Sequence, residues 1–296
     1  MKKFFITAVA LLAFCVGNAQ LVTVNSVERV GDQYAAKAVI SPDGQYVVAN
    51  TTTELKRVNV ADGQATTIAK GNNLYNVVVS ADGSVVYSRP TFDKKHLRHV
   101  SLEVVDANGQ NKVLVKPTRK LSSGVSVANG TVNAVVNGKA QAKALGAEKA
   151  VKAPVASISR GHLQVTVNGK TTTLDPQGRG SYIWTSISPD GKRLSYWLVG
   201  AGCFTCNLDG TDVKSHGPLR AAVWCGNDML VGQDEVEGQA QQLVACSIVA
   251  LDVNTNKVQK LTDDSLIATY PSASADGSRV AFTTQDGEIY VINLTK

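Results

Sequence analysis

The chain has 296 residues, 44% of them hydrophobic but only 6% aromatic, with 25 glycines against 8 prolines and a formal net charge of +6. That length admits one large β domain or two smaller ones, and the charge is too mild to mark a nucleic-acid-binding surface. Beyond residue 16 no apolar run approaches the length of a membrane-spanning helix.

In chain order the first feature is Lys2-Lys3, followed by the apolar run Phe4 to Val16 and the small-residue stretch Gly17-Asn18-Ala19. This is the pattern of a secretory signal peptide over residues 1–19, cleaved after Ala19. It predicts a soluble periplasmic or secreted chain that starts at Gln20 and carries a net charge of +4. Lipidation of Cys15 is disfavoured because bulky Phe14 stands where such sites take a small residue.

From Gln20 onward the chain is built on a repeated word. "ISPDG" occurs at Ile40 to Gly44 and again at Ile187 to Gly191; weaker copies end at Gly83, Gly130 and Gly277, with a degenerate one at Gly226 to Asp228. Each copy lies between two short apolar stretches of alternating character, which makes it a hairpin turn: proline presets φ, aspartate bonds the turn's own backbone, and glycine accepts the left-handed conformation. Second turns follow at Asp62-Gly63, Asn108-Gly109, Asn168-Gly169 and Asp209-Gly210, and loosely at Asn254 to Asn256. The spacing from first to second turn is 19, 26, 39 and 19 residues in the first four units and about 27 in the fifth, so one half of the repeat accepts insertions.

Four strands fit each unit, A and B around the first turn, C and D around the second. Units of that kind are propeller blades. The sixth unit reaches residue 296 where its second turn would fall, while "LVTVNSVERV" near the start is a strand with no unit of its own. The reading is therefore an all-β, six-bladed propeller over residues 20–296, of four-stranded antiparallel blades, with the N-terminal strand completing the last.

The words "ISPDGQYVVA", "ISPDGKRLSYW" and "VQKLTDDSLIATYPSASADG" resemble the repeats of TolB-like six-bladed propellers, and of the propeller domains of prolyl oligopeptidase-type peptidases. The resemblance spans nearly all of the expected mature chain and implies fold rather than function. Neither the α/β domain of TolB nor a peptidase domain is read in this sequence, and no Gly-x-Ser-x-Gly elbow occurs.

Candidate sites follow from the blade topology. A-to-B and C-to-D turns share one face, the turn face; B-to-C and D-to-A connections share the other, the mouth face, which should carry the long loops. Unit two places Lys94, Lys95, His96, Arg98 and His99 there, unit three inserts the lysine-rich Lys139 to Pro154, read as a short helix, and unit five supplies acidic Asp234, Glu235 and Glu237. Basic and acidic loops would face each other across the ring, suited to docking an envelope protein or an anionic polymer. The starts of the inner strands should project Tyr75, Asn76, Tyr182, Trp184, Arg220 and Tyr270 into the channel mouth, with Arg179 in the loop above. Aromatic faces beside amide and guanidinium groups suit a sugar or a peptide.

Cys203, Cys206, Cys225 and Cys246 remain after processing, and an exported chain is expected to join at least one pair in a disulfide within or between units four and five. Cys203 and Cys206 fall on a strand, which suits neither a redox motif nor zinc. His96, His99, His162 and His216 lack a surrounding carboxylate cluster, so no metal or cofactor is expected. No assembled acid, base and nucleophile stands out. The resulting expectation is a monomeric, non-catalytic exported propeller that binds a protein partner or an envelope ligand on its loop-rich face; the alternative is an envelope polysaccharide lyase or hydrolase with its site at the channel mouth.

Overall fold

A computed structural model describes residues 20–296, so the expected signal peptide, residues 1–19, lies outside the described residues. β1 (Thr23–Tyr34) precedes blade 1, which comprises β2 (Lys37–Ile40), β3 (Tyr46–Asn50), β4 (Glu54–Asn59) and β5 (Ala65–Lys70). Blade 2 comprises β6 (Tyr75–Val79), β7 (Val85–Phe92), β8 (Arg98–Val105) and β9 (Asn111–Thr118). Blade 3 has only β10 (Leu121–Ala128), β11 (Thr131–Val136) and β12 (Lys139–Ala144), and blade 4 only β13 (Val155–Ser159), β14 (His162–Val167) and β15 (Lys170–Thr173). Blade 5 comprises β16 (Tyr182–Ile187), β17 (Arg193–Leu198), β18 (Gly202–Asn207) and β19 (Lys214–Ser215). Blade 6 comprises β20 (Arg220–Trp224), β21 (Met229–Glu237), β22 (Leu243–Asp252) and β23 (Val258–Lys260). Blade 7 comprises β24 (Ala268–Ala273), β25 (Arg279–Thr284) and β26 (Glu288–Thr295), with β1 paired to β26 as its outermost strand. Among the described residues no helix is long and apolar enough to cross a membrane; the one helical segment is a 3-10 turn at Gln239–Gln241.

The protein is thus an all-β propeller of antiparallel blades with the N-terminal strand in the last, but it has seven blades where the repeat spacing predicts six. The extra blade was concealed in the 39 residues from Gly130 to Gly169. Lys139 to Pro154 is no helical insertion but β12 and the connection that follows it. Asn168-Gly169 joins the second and third strands of blade 4, whose first turn is written Arg160-Gly161 and shares nothing with the repeated word.

The two short blades also invert the course of the chain through blade 4. β10 starts at the same end of the ring as β6, because Asn76 Nδ2 donates to the Ser123 carbonyl at 2.9 Å. With only three strands, blade 3 leaves the chain on the turn face, where Leu145 N–H bonds the Gly130 carbonyl. The chain therefore enters blade 4 backwards. β13 runs antiparallel to β10: Ser126 Oγ bonds Pro154 O, Gly124 approaches Ala156, and Ser123 Oγ bonds both the N–H and the carbonyl of Ile158. By contrast β24 and β2 run parallel, with Lys37 beside Tyr270 and Ile40 N–H bonded to Ser272 Oγ. A second odd-stranded blade returns the chain to the mouth face, where Tyr182 N–H bonds the Gly161 carbonyl and β16 begins. A single three-stranded blade would leave every later blade inverted; two in succession restore the parity.

Apolar clusters fill the seams between neighbouring blades, as expected when each sheet buries one face against the next. Phe282 and Ile248 lie in the seam of blades 6 and 7, Tyr87 and Leu55 in that of blades 1 and 2, and Tyr196 and Leu163 in that of blades 4 and 5. The seam between blades 3 and 4 is held differently. Besides the contacts from Ser123 and Ser126, Val151 N–H bonds Thr131 Oγ1 at 3.1 Å and Ala153 N–H bonds Asn133 Oδ1 at 3.1 Å.

The repeated word has a repeated chemistry. Ser41 Oγ donates to Asp43 Oδ1 at 2.6 Å, Asp43 accepts the Gln45 N–H, and Ser41 Oγ accepts the Tyr46 N–H. Ser188 with Asp190 and Ser274 with Asp276 reproduce this set in blades 5 and 7. Donation from the Ser278 N–H and the Ser274 and Ser278 hydroxyls holds the Asp276 carboxyl down to about 2. Gly44 and Gly191, at φ of 72° and 70°, complete the turns in the left-handed region.

Candidate functional site

The inner strands of all seven blades enclose a central channel of about 720 Å³. Its mouth is shaped by a recurrent irregularity. In β6, β16, β20 and β24 two inner-strand residues oppose a single partner, at Asn76-Val77, Trp184-Thr185, Ala221-Ala222 and Tyr270-Pro271. These are β-bulges, and the first residue of each is left-handed, with φ of 51°, 48°, 47° and 52° respectively. Such a position normally takes glycine, since any other residue there costs about 1–3 kcal/mol of backbone strain. Here none of the four is glycine.

The bulges decide which side chains reach the lumen. Trp184 and Tyr270 line the channel and are each 40% exposed. Trp184 is braced edge-on by Trp197 at 5.9 Å, and the Arg220 guanidinium caps Trp197 at 5.6 Å. Tyr75 and Asn76 also line the channel; the Asn76 amide is tied to blade 3, and Arg98 lies over the Tyr75 ring at 5.0 Å.

Two of the residues expected to project into the lumen are elsewhere, and Arg179 stays in the connection above it. Tyr182 is fully buried against Tyr196, its hydroxyl bonded to the Gly178 carbonyl, because it precedes the bulge and pairs with Leu198 on the face turned into the blade. Arg220 bonds Glu235 at 2.6 Å and Glu237 at 3.1 Å beside the channel. Arg179 is exposed in the connection before β16 and does not line the lumen.

Sequence reading missed Lys37, among the described residues the one charged member of the channel lining. Its ammonium lies 6.0 Å from the centre of the Tyr270 ring, and among the described residues no carboxylate comes within ion-pairing distance. Water reaches it through the lumen, yet protein encloses it on the remaining sides, and this loss of hydration pulls its pKa below that of an ordinary lysine. Directly across the sheet from Lys37 stands Asn50, whose Nδ2 bonds Leu74 O at 2.7 Å while its buried Oδ1 meets no protein donor. Thr185 Oγ1, in the β16 bulge, is likewise buried and unpartnered. Both residues line the channel.

The outer loops are more ordered than expected. Lys94, Lys95 and His96 form the exposed tip of the β7–β8 hairpin, with His99 Nε2 3.2 Å from Asp93 Oδ2. Asp234, Glu235 and Glu237 belong to β21 rather than to a free loop, and Arg220 neutralises the two glutamates. The acidic counterpart to the basic loop is correspondingly reduced.

The expected disulfide is corrected: all four described cysteines are free and buried. Cys203 and Cys206 are three apart on β18, so they face opposite sides of the sheet, Cys203 into the seam with blade 6 and Cys206 into the seam with blade 4. Cys225 packs between blades 6 and 7. Burial pushes the thiols of Cys203, Cys206 and Cys246 up to about 12 and that of Cys225 to about 11. Among the described residues no three histidine, cysteine or acidic side chains gather as a metal set.

No protein-family model matches this sequence, and no curated protein matches it either. Among solved structures, that of U3-55K is similar, with a TM-score of 0.66 at 9% identity, covering 90% of this chain and 98% of that one. At such low identity the likeness concerns the fold alone.

Proposed function

We propose that this chain is a non-catalytic, exported binding propeller that takes its partner or ligand at the mouth of the central channel. The observation that carries the reading is the ring of bulged inner strands, whose non-glycine residues hold left-handed backbone and place Trp184 and Tyr270 in the lumen. Backbone strain of this kind persists where the surrounding structure enforces it, and it gathers at ligand sites. The channel lining offers aromatic faces, amides, hydroxyls and one amine, a set that supports recognition. The Lys2 to Ala19 leader and the TolB-like repeat words support placing the protein in the cell envelope.

The test is affinity capture from envelope and exported fractions with three baits: the chain from Gln20, its Trp184→Ala/Tyr270→Ala variant, and a Lys94→Ala/Lys95→Ala variant. The reading requires that the channel variant lose the captured species and that the loop variant keep it. The opposite pattern would move the site to the β7–β8 hairpin and overturn the reading.

A further inference from the structure

We infer that the channel mouth is built for a small carboxylate-bearing ligand that carries a hydrogen-bond donor close to its carboxylate and a flat face to stack. This rests on the channel mouth being the binding site and adds the chemistry of what enters it.

Three observations converge. The first is the charge of the lining: among the described residues Lys37 is its one ionic group, it stands inside the ring, and no described carboxylate pairs with it. Lys37 is open to the water of the lumen and has no counter-ion, so an entering anion can form a charge-assisted hydrogen bond with it without displacing a protein partner. The second is the unmet acceptors. Asn50 Oδ1, opposite Lys37 in register, is buried without a protein donor, and a bound hydroxyl or amide N–H that displaces the groups covering it would satisfy it; Thr185 Oγ1, equally unpartnered, stands across the lumen on blade 5. A bare inorganic anion supplies no such donor. The third is the aromatic surface: Tyr270 lies beside Lys37, so an anion held at Lys37 has a flat face within reach of its body, and Trp184 presents a second ring to the same lumen from blade 5.

This chemistry has two sources, a uronic acid unit with its ring hydroxyls and the free C-terminal carboxylate of a peptide with its amide N–H. Calorimetric titration separates them. The probes are trigalacturonate against its neutral galactose counterpart, and the tripeptide Ala-Ala-Phe against its C-terminal amide. The proteins are the chain from Gln20 and its Lys37→Met, Lys37→Arg and Trp184→Ala variants.

At least one anionic probe is expected to bind the unaltered chain about tenfold or more tighter than its neutral counterpart. Lys37→Met should abolish that preference, and Lys37→Arg should retain most of it. The identity of the preferred anion names the source. Equal binding of charged and neutral probes, or a preference that survives Lys37→Met, overturns the inference; if that binding is still lost in Trp184→Ala, the channel site itself stands. Failure of all four probes to bind the unaltered chain overturns the inference, while capture that depends on Trp184 and Tyr270 would still uphold the site.

Discussion

Ala221 and Ala222 provide a measure of the strain at the channel mouth. They are adjacent in the β20 bulge and 8% and 6% exposed, but only Ala221, at φ 47°, is left-handed. Replacing either with glycine removes one buried methyl, at a cost of about 0.8 kcal/mol. It also frees the unfolded chain, at a further cost of about 0.4–1 kcal/mol. Ala222→Gly is therefore expected to destabilise by about 1.2–1.8 kcal/mol. In Ala221→Gly the relief of about 1–2 kcal/mol of left-handed strain offsets both losses, leaving a net change within about 0.8 kcal/mol of zero. Urea unfolding followed by circular dichroism gives both values. If the two variants lose the same stability, the bulges store no strain, and the argument that the mouth is a constrained site loses its basis.

Other consequences follow from particular contacts. A Cβ on Gly124 would lie 1.9 Å from the Ala156 carbonyl oxygen, so Gly124→Ala should part blades 3 and 4 and cost about 1–3 kcal/mol or more, whereas Gly146→Ala, with nothing within 4 Å, should stay within about 0.5 kcal/mol in the same unfolding assay. His216 is buried between Thr205 Oγ1 and Asn256 Oδ1, and burial lowers its pKa below 6.5. The unfolded chain then binds the proton first, so the contribution of His216 to stability is complete above pH 6.5 and is lost as pH falls toward the folded value; thermal melts should decline less steeply below that pH in His216→Gln. The four buried thiols should be silent to Ellman's reagent in the native chain and react together after denaturation; rapid native reaction of any one would contradict the seam packing.

The strand-turn-strand rhythm was legible because Asp-Gly turns need specific residues, and the closure by β1 was legible because the ends of the repeat were complementary. The blade count was not. Blade 4 uses Arg160-Gly161 where the repeat would write Asp-Gly, and the loss of one strand from each of two blades left a spacing that looked like an insertion. The channel mouth was half legible: counting from the strand start finds Trp184 and Tyr270 but also selects Tyr182, since a bulge resets the alternation of faces and leaves no glycine to announce itself. Lys37 was passed over because a single lysine at a strand start looks like surface, and only closure of the ring encloses it. The cysteines misled because an exported context favours disulfides, while strand parity sends Cys203 and Cys206 to opposite seams.

The most direct test of the channel mouth is fluorine NMR of the chain labelled with 5-fluorotryptophan. It has three tryptophans: Trp184 in the lumen, Trp197 behind it, and Trp224, which lies under Arg193 with its Nε1 bonded to the Ser186 carbonyl. On titration with trigalacturonate or Ala-Ala-Phe, the Trp184 resonance is predicted to shift most, Trp197 less, and Trp224 not at all. A ligand that binds while leaving Trp184 unmoved, or that shifts Trp224 alone, would contradict the assignment.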